Sequence, residues 1–438
     1  MFTKLQRPLY NHSLESESRD CKTKALRNQI MKLCVIGAGT AGLCAAKHGI
    51  DFGCDVTVFE QSDLIGGLWN YTDETGQNKY GLDIHPSIYK GLLVNAPKEG
   101  MEYPSVPFPE QEKSYVSWEE VLQYLNVYAK KFKLSQRIKF NNQVIRVRPL
   151  QDDTWEVMVK DLELKVNVTH NFDAVLICNG HFSVPVIPKF PGRMEFVGLQ
   201  LHSRDYKRPE IFQGQRVLVI GGGTSGVDIT YEILKFAQKV TWCHHNKNPP
   251  VTKFGSNVDI KPDVCQITET GAIFVDGSYQ DYGAIVYCTG YEYSFPFLSA
   301  DCGVTNHTKF VEPLFKQCLN INRPTMGLIG LNNIALHIPL FDLQVRFCLT
   351  FMTGRKLMPS KQEMLDDLKR DTIEREGKGL TKNKAHHIGP ALQGSYFEDL
   401  ASYAGIEPIK PAMKLCVIGA GAAGLCAVKH GIDILGVK

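Results

Sequence analysis

Residues 32–46 read Lys-Leu-Cys-Val-Ile-Gly-Ala-Gly-Thr-Ala-Gly-Leu-Cys-Ala-Ala. The apolar run Lys32 to Ile36 has the pattern of a strand buried on both faces, and the Ala-rich residues after Gly42 open a helix pattern. Between them Gly37, Ala38, Gly39, Thr40, Ala41 and Gly42 spell GxGxxG. In such a turn Gly37 makes the tight bend, Gly39 lets the backbone approach a pyrophosphate, and Gly42 lets helix pack on strand. The helix N-terminus then offers free amides and a positive dipole end to the phosphates. A second apolar run, Asp55 to Phe59, ends in Glu60, 21 residues after Gly39. A carboxylate at that place accepts from the hydroxyls of an adenosine ribose, as in FAD or NAD.

Working outward, the same device recurs. The strand pattern Arg216 to Ile220 runs into Gly221, Gly222, Gly223, Thr224, Ser225 and Gly226, followed by Val227 and Asp228. Here the position of Glu60 falls on His244, with His245 and Lys247 close behind. A carboxylate would repel a 2′-phosphate, whereas His and Lys donate to one, so this turn is read as the NADP site. The usual cation for that task, Arg, is absent, and ordinary exposed residues are the alternative reading of the His pair. Further strands are expected at Ala174 to Cys178, Lys239 to Cys243 and Ala284 to Tyr287, and strands alternating with helical patterns predict an α/β fold with parallel sheets. Two such turns imply a flavin and a nicotinamide nucleotide facing each other, hence hydride transfer between cofactors. The 13 cysteines include no CxxC or CxxxxC pair, so a disulfide reductase is excluded and the electrons go elsewhere.

Composition narrows the partners. The 438 residues carry 49 Lys plus Arg against 46 Asp plus Glu, a net charge of +3, too balanced for a nucleic-acid footprint. Small molecules are therefore the expected ligands. Cysteines at no metal-ligand spacing argue against a structural metal. The stretch from Met1 to Ile30 reads as a polar leader, disordered and without an apolar signal core. The longest apolar segment, Met326 to Met352, is interrupted by Asn332, Asn333, His337, Asp342, Gln344 and Arg346, so no transmembrane anchor is expected. These features predict a cytoplasmic protein, and a homo-oligomer is not excluded. Residues 71–109, rich in Gly, Pro, Asn and Tyr, read as a long irregular segment over a binding face, and Lys361 to Gly377 as a solvated surface helix. The segment from Met31 recurs from Met413 with two differences in twenty positions. That copy stops after one strand and one helix, so it is read as a partial duplicate without a nucleotide site.

Just before the second turn, Phe196, Gly198, His202 and Tyr206 spell FxGxxxHxxxY. This pattern resembles the signature of the flavin-containing monooxygenases, class B flavoprotein monooxygenases, and Tyr206 stands where the related Baeyer-Villiger enzymes have Trp. Gly66-Gly67-Leu68-Trp69, His202-Ser203-Arg204-Asp205-Tyr206-Lys207, Cys288-Thr289-Gly290-Tyr291 and Phe341-Asp342-Leu343-Gln344-Val345-Arg346 extend the likeness over residues 31–409, most of all to insect members. The resemblance implies an FAD-binding domain of residues 31–182 plus 289–412 and an NADP-binding domain of 183–288 inserted into it; the polar leader of 1–30 and the partial duplicate of 413–438, read as non-functional, lie outside both. It implies that NADPH reduces FAD, that O2 forms a flavin hydroperoxide, and that a tertiary amine, a thioether or a pyrrolizidine alkaloid takes up the distal oxygen. Asn95 and Ala96 would then lie near the flavin and the nicotinamide end, with Asn95 in the catalytic role. Gly67, Leu68 and Trp69 would flank the flavin, Gln344 would sit near the ring end, and Ser225, Gly226 and Asp228 would lie at the NADP pyrophosphate. His202 is read as a structural hydrogen-bonder rather than a base. A Baeyer-Villiger or N-hydroxylating flavoprotein, or an inactive aberrant fusion product, are the competing expectations.

Overall fold

The computed structural model describes residues 30–245, 252 and 254–409; the polar leader before Ile30, Lys247 and the terminal repeat fall outside them. The chain begins with β1 (Lys32–Ile36), α1 (Thr40–Asp51), β2 (Asp55–Phe59), α2 (Trp118–Lys131), β3 (Ile138–Lys139) and β4 (Ala174–Ile177). It continues through β5 (Leu199–His202), β6 (Arg216–Ile220), α3 (Thr224–Ile233), β7 (Lys239–Cys243), β8 (Val258–Lys261) and β9 (Ala284–Tyr287). It closes with β10 (Leu314–Phe315), β11 (Leu319–Asn320), β12 (Met326–Leu328), α4 (His337–Met352), α5 (Lys361–Gly377) and α6 (Gly389–Ala404). The expected strands and the surface helix are all present; only Cys178 falls just outside its strand.

Two sheets result. The first has the order β10-β11-β12-β4-β1-β2-β3, parallel from β12 to β3. The second has the order β8-β7-β6-β9-β5 and is parallel throughout. Every strand of the second lies in the chain between β4 and β10 of the first, so one α/β unit is inserted into the other.

Alternation along β1 sets the layers. Leu33 and Val35 pack with Leu43 of α1, Val121 of α2 and Leu343 of α4. Cys34 and Ile36 face the other way, onto Val144, Trp155 and Val157, which belong to an antiparallel sheet of Asn142–Pro149, Trp155–Asp161 and Val166–Phe172. Both faces of the first sheet are thus covered, as a parallel sheet requires. Each turn leaves its sheet at the carboxyl end of a central strand, where open α/β sheets bind ligands.

The expected irregular segment holds a single 3-10 turn, Lys98–Gly100, and otherwise no helix or extended strand. It straps the two units together. Tyr89 OH donates to Asp228 Oδ2 at 3.1 Å, and the Lys90 amide donates to Lys207 O at 2.9 Å. Lys207 Nζ in turn donates to Pro86 O at 2.7 Å. Among the described residues no helix is long and apolar enough to cross a membrane.

Candidate active site

The two turns are built alike. Gly37 and Gly221 have φ of 101° and 130°, and a Cβ on either would come within 2.6 Å of Cys178 O or 2.1 Å of Cys288 O. The amides of these two cysteines donate to Ile36 O and Ile220 O, so β4 and β9 stand beside the turns. A Cβ at Gly42 or Gly226 would lie 1.8 Å or 2.0 Å from the carbonyl oxygen of Gly37 or Gly221. No rearrangement short of rebuilding the turn relieves such contacts. The middle glycines differ: Gly39 and Gly223 have ordinary extended φ of -74° and -89°. A Cβ at Gly39 would meet only Gly67, its Cα at 3.6 Å and its N at 3.9 Å, and one at Gly223 nothing within 4 Å. The protein itself does not demand glycine there; a bare backbone is what the close approach of a phosphate would require. Helices α1 and α3 start at Thr40 and Thr224 with no acidic residue in the first turn, so their N-terminal amides stay open to anions.

Register confirms the pairing of Glu60 with His244. Ile36 pairs with Phe59 and Ile220 with Cys243, so each residue follows the last rung of its ladder. Glu60 accepts from the Ala38 amide at 2.7 Å and from the Ser62 amide and hydroxyl at 2.9 and 2.8 Å. Burial raises its pKa, with those donors opposing. His244 instead lays its ring on Trp242, centroids 4.3 Å apart, and burial lowers its pKa. It is therefore neutral at pH 7.

A single cavity of about 1930 Å³ runs from one turn to the other, beyond the range of roughly 300–1,000 Å³ for one small-molecule site. Of the expected residues, Gly37, Gly39, Thr40, Ala41, Glu60, Gly67, Leu68, Trp69, Asn95 and Ala96 line it, with Gly223, Thr224, Ser225 and Asp228 of the second turn. Ala38, Gly42, Gly221, Gly226, Val227, His244 and Gln344 do not. Val227 is buried against the second sheet. Gln344 is fully buried behind the wall: its Oε1 accepts from the Gly330 amide, and its Nε2 donates to Asn332 Oδ1 and Tyr396 OH. Its amide is engaged within the protein and steadies the Gly330 loop that faces the cavity.

Sequence reasoning did not single out His85, His181, His337 or Arg204, which also line the cavity. They come from four separated segments, and only the order of strands brings them together. Burial and the neighbouring His337 push His181 down to about 3, and burial lowers His85 and His337 too, so none of the three is charged near neutrality. The FxGxxxHxxxY residues serve packing: Phe196, His202 and Tyr206 are buried, and a Cβ on Gly198 would lie 2.5 Å from Gly283 O. His202 Nδ1 accepts from the Arg204 amide at 3.1 Å, and burial brings its pKa to about 4. Cys44, His48 and Asp342 bring three possible metal-ligand atoms within 4.8 Å of one another. The Asp342 carboxylate, however, lies 2.6 Å from His48 Nε2 and accepts from Arg346 Nε at 2.6 Å, so the cluster is a hydrogen-bonded joint between α1 and α4.

Two phosphate-binding turns opening on one cavity define an oxidoreductase of the two-dinucleotide kind. The family model for flavin-binding monooxygenase-like proteins matches residues 30–248 and 244–416, and the chain belongs to that family. It is 33% identical over 388 residues to senecionine N-oxygenase of Tyria jacobaeae, covering 87% of this chain and 84% of that one. It is 32% identical over 408 residues to flavin-containing monooxygenase FMO GS-OX3 of Arabidopsis thaliana, covering 88% and 87%. Among solved structures, S-allyl-L-cysteine S-oxygenase from Allium sativum superposes with a TM-score of 0.80 at 31% identity, covering 87% of this chain and 90% of that one. The protein is a flavin-dependent monooxygenase whose cofactors are FAD and NADPH. The residues fit both groups: Gly39 and Gly223 leave room at two helix N-termini, the Glu60 carboxylate lines the cavity, and the volume suits two dinucleotides.

Proposed function

We propose that the protein inserts one atom of O2 into nitrogen or sulfur of small soft nucleophiles, tertiary amines and thioethers, with pyrrolizidine alkaloids among the amines. The observation that carries this reading is the single cavity lined by both turns, by Asn95 and by the apolar side chains of Met101, Leu336, Phe341 and Phe397. The similarity to one N-oxygenase and one S-oxygenase supports nitrogen and sulfur as the acceptors. FAD, when bound, supplies the reducible ring that takes hydride from NADPH and activates O2.

The chain's own part is to bind, orient and keep water away. The turn at Gly37 and the Glu60 carboxylate hold the flavin nucleotide, and the turn at Gly221 holds the nicotinamide one. Leu68 and Trp69 form a wall that excludes water from the ring. The Asn95 amide both donates and accepts without titrating, so it positions the reacting ends of both cofactors across the working pH range. Burial lowers the pKa of His85, His181 and His337, which makes them weak proton acceptors, in keeping with a substrate lone pair that needs no deprotonation. We assign the Gly37 unit, residues 31–182 plus 289–412, to FAD and the inserted residues 183–288 to NADP.

The test is turnover of the purified, FAD-loaded protein in aerated buffer with NADPH and, separately, trimethylamine, a thioether and a pyrrolizidine alkaloid. At least one product heavier by a single oxygen, formed in step with NADPH consumption, is expected. Hydrogen peroxide as the sole oxygen product with all three would refute the reading. Asn95→Ala is expected to retain FAD and lose nearly all oxygenated product; unchanged product would remove Asn95 from this role.

A further inference from the structure

Among the described residues, three side chains with a permanent positive charge line the cavity: Lys47, Arg204 and Arg346. Two are matched by carboxylates at contact distance. Lys47 Nζ lies 2.7 Å from Asp51 Oδ2, and Arg346 Nε donates to Asp342 Oδ2 at 2.6 Å. Arg204 differs. Its Nη2 donates to the neutral carbonyl of Ile84 at 3.0 Å, and the Asp83 carboxylate stands off at 3.7 Å on a side chain that is 68% exposed. Its Nε is buried and has no hydrogen-bond partner. A guanidinium offers five N–H donors, and a buried donor without an acceptor is costly. The group is held in place with its charge matched only across 3.7 Å and part of its donor set uncommitted.

Its position follows from the ladder. His202, the last residue of β5, pairs with Tyr287 at the end of β9, which pairs with Ile220 at the end of β6. Arg204 and Gly221 therefore leave the same edge of one parallel sheet, two residues and one residue past their strands. Arg204 shares the cavity with Gly223, Thr224 and Ser225 at the start of α3. The place where a cation is expected for this turn holds His244, neutral and turned onto Trp242. A dinucleotide that brings several phosphate charges to this edge has Arg204 as its strong counter-charge.

We propose that the Arg204 guanidinium binds a phosphate group of the nicotinamide dinucleotide, replacing the cation missing at His244. The proposal rests on the assignment of the Gly221 turn to that nucleotide. It deepens that assignment by naming a residue that the recurring glycine pattern does not include.

The experiment measures Kd for NADP⁺ and for NAD⁺ on the oxidised, FAD-loaded enzyme, by perturbation of the flavin absorbance at low and high salt. Arg204→Gln is compared with Arg204→Lys and wild type. Arg204→Gln is expected to weaken NADP⁺ about ten- to a hundredfold with unchanged FAD content, the size of a lost charge-assisted pair. Arg204→Lys should restore part of the affinity, and the glutamine variant should show a shallower salt dependence. Equal losses for both nucleotides assign the shared pyrophosphate, and a loss confined to NADP⁺ assigns the 2′-phosphate; both support the proposal. Unchanged Kd values, a loss that accompanies loss of FAD, or no rescue by lysine overturn it. Wild-type enzyme that binds neither nucleotide defeats the cofactor assignment itself, an outcome distinct from failure of Arg204.

Discussion

The two glycine-rich turns share a backbone and differ in what anchors them. In both, the first glycine sits against the carbonyl of a cysteine just past the neighbouring strand and the third against the oxygen of the first. At the first turn Glu60 reaches back to the Ala38 amide, so the residue read as a ribose acceptor also ties β2 to the turn. At the second turn that tie is made by Trp242, whose indole Nε1 donates to Gly221 O at 2.9 Å. His244 is thereby released from a structural task without becoming a cation. The difference teaches that the first and third glycines follow from the fold, whereas the residue after the second strand is free to vary with the ligand and its charge can be supplied from elsewhere.

The largest effect that tests this comparison is at the third glycines. Gly42→Ala should destabilise the protein by about 3 kcal/mol and abolish FAD incorporation, because the Cβ would collide with backbone in the central strand's own turn. Gly226→Ala, with the same collision in the inserted unit, should leave yellow protein that NADPH no longer bleaches. Thermal unfolding and flavin content check both, and equal loss of FAD in the two variants would break the distinction between the units.

Next in size are the middle glycines. Gly39→Ala and Gly223→Ala should each change stability by less than about 1 kcal/mol, since neither Cβ meets a close contact. Cofactor affinity should nevertheless fall about tenfold or more, for FAD in the first and for NADPH in the second. A variant with full affinity would show that no phosphate approaches that glycine.

A smaller effect is expected at His244. Placing Arg there should raise preference for NADPH over NADH by about tenfold, read as the ratio of kcat/KM values; no shift would mean that the residue points away from the nucleotide.

The last effect is spread over pH, a pH dependence of the inserted sheet. Burial lowers His202 from 6.5 to about 4, so the unfolded chain takes up the proton first. Its contribution to stability is present above pH 6.5 and is lost as pH falls toward 4, with a slope of at most about 1.4 kcal/mol per pH unit. His202→Asn should flatten that part of the stability curve in denaturant titrations, and an identical slope would place the proton uptake on another group.

The parallel strands were legible because strands buried on both faces leave nearly continuous Val and Ile runs bounded by glycine. The antiparallel sheet of Asn142–Pro149, Trp155–Asp161 and Val166–Phe172 was not, since Val166 to Asn171 expose most of their length and leave no apolar run. In the cavity, residues tied to a turn by local chain geometry, such as Thr40, Glu60 and Ser225, were found where the pattern placed them. Gln344 illustrates the opposite case: one helix presents residues to a ligand and to the core at adjacent positions, and only packing decides which. Arg204 was visible in His-Ser-Arg-Asp-Tyr-Lys, yet its setting depends on Asp83 and Ile84, which no spacing connects to it.

The strap of residues 84–90 limits how these units can be recombined. Lys207, Arg204 and Asp228 of the inserted unit find Pro86 O, Ile84 O and Tyr89 OH in a segment that belongs to the other. A chimera that exchanged residues 183–288 alone would separate an ammonium, a guanidinium and a carboxylate from their partners at once. Crossovers that carry residues 84–90 along with the insert preserve those contacts, so the portable module of this fold is discontinuous in sequence.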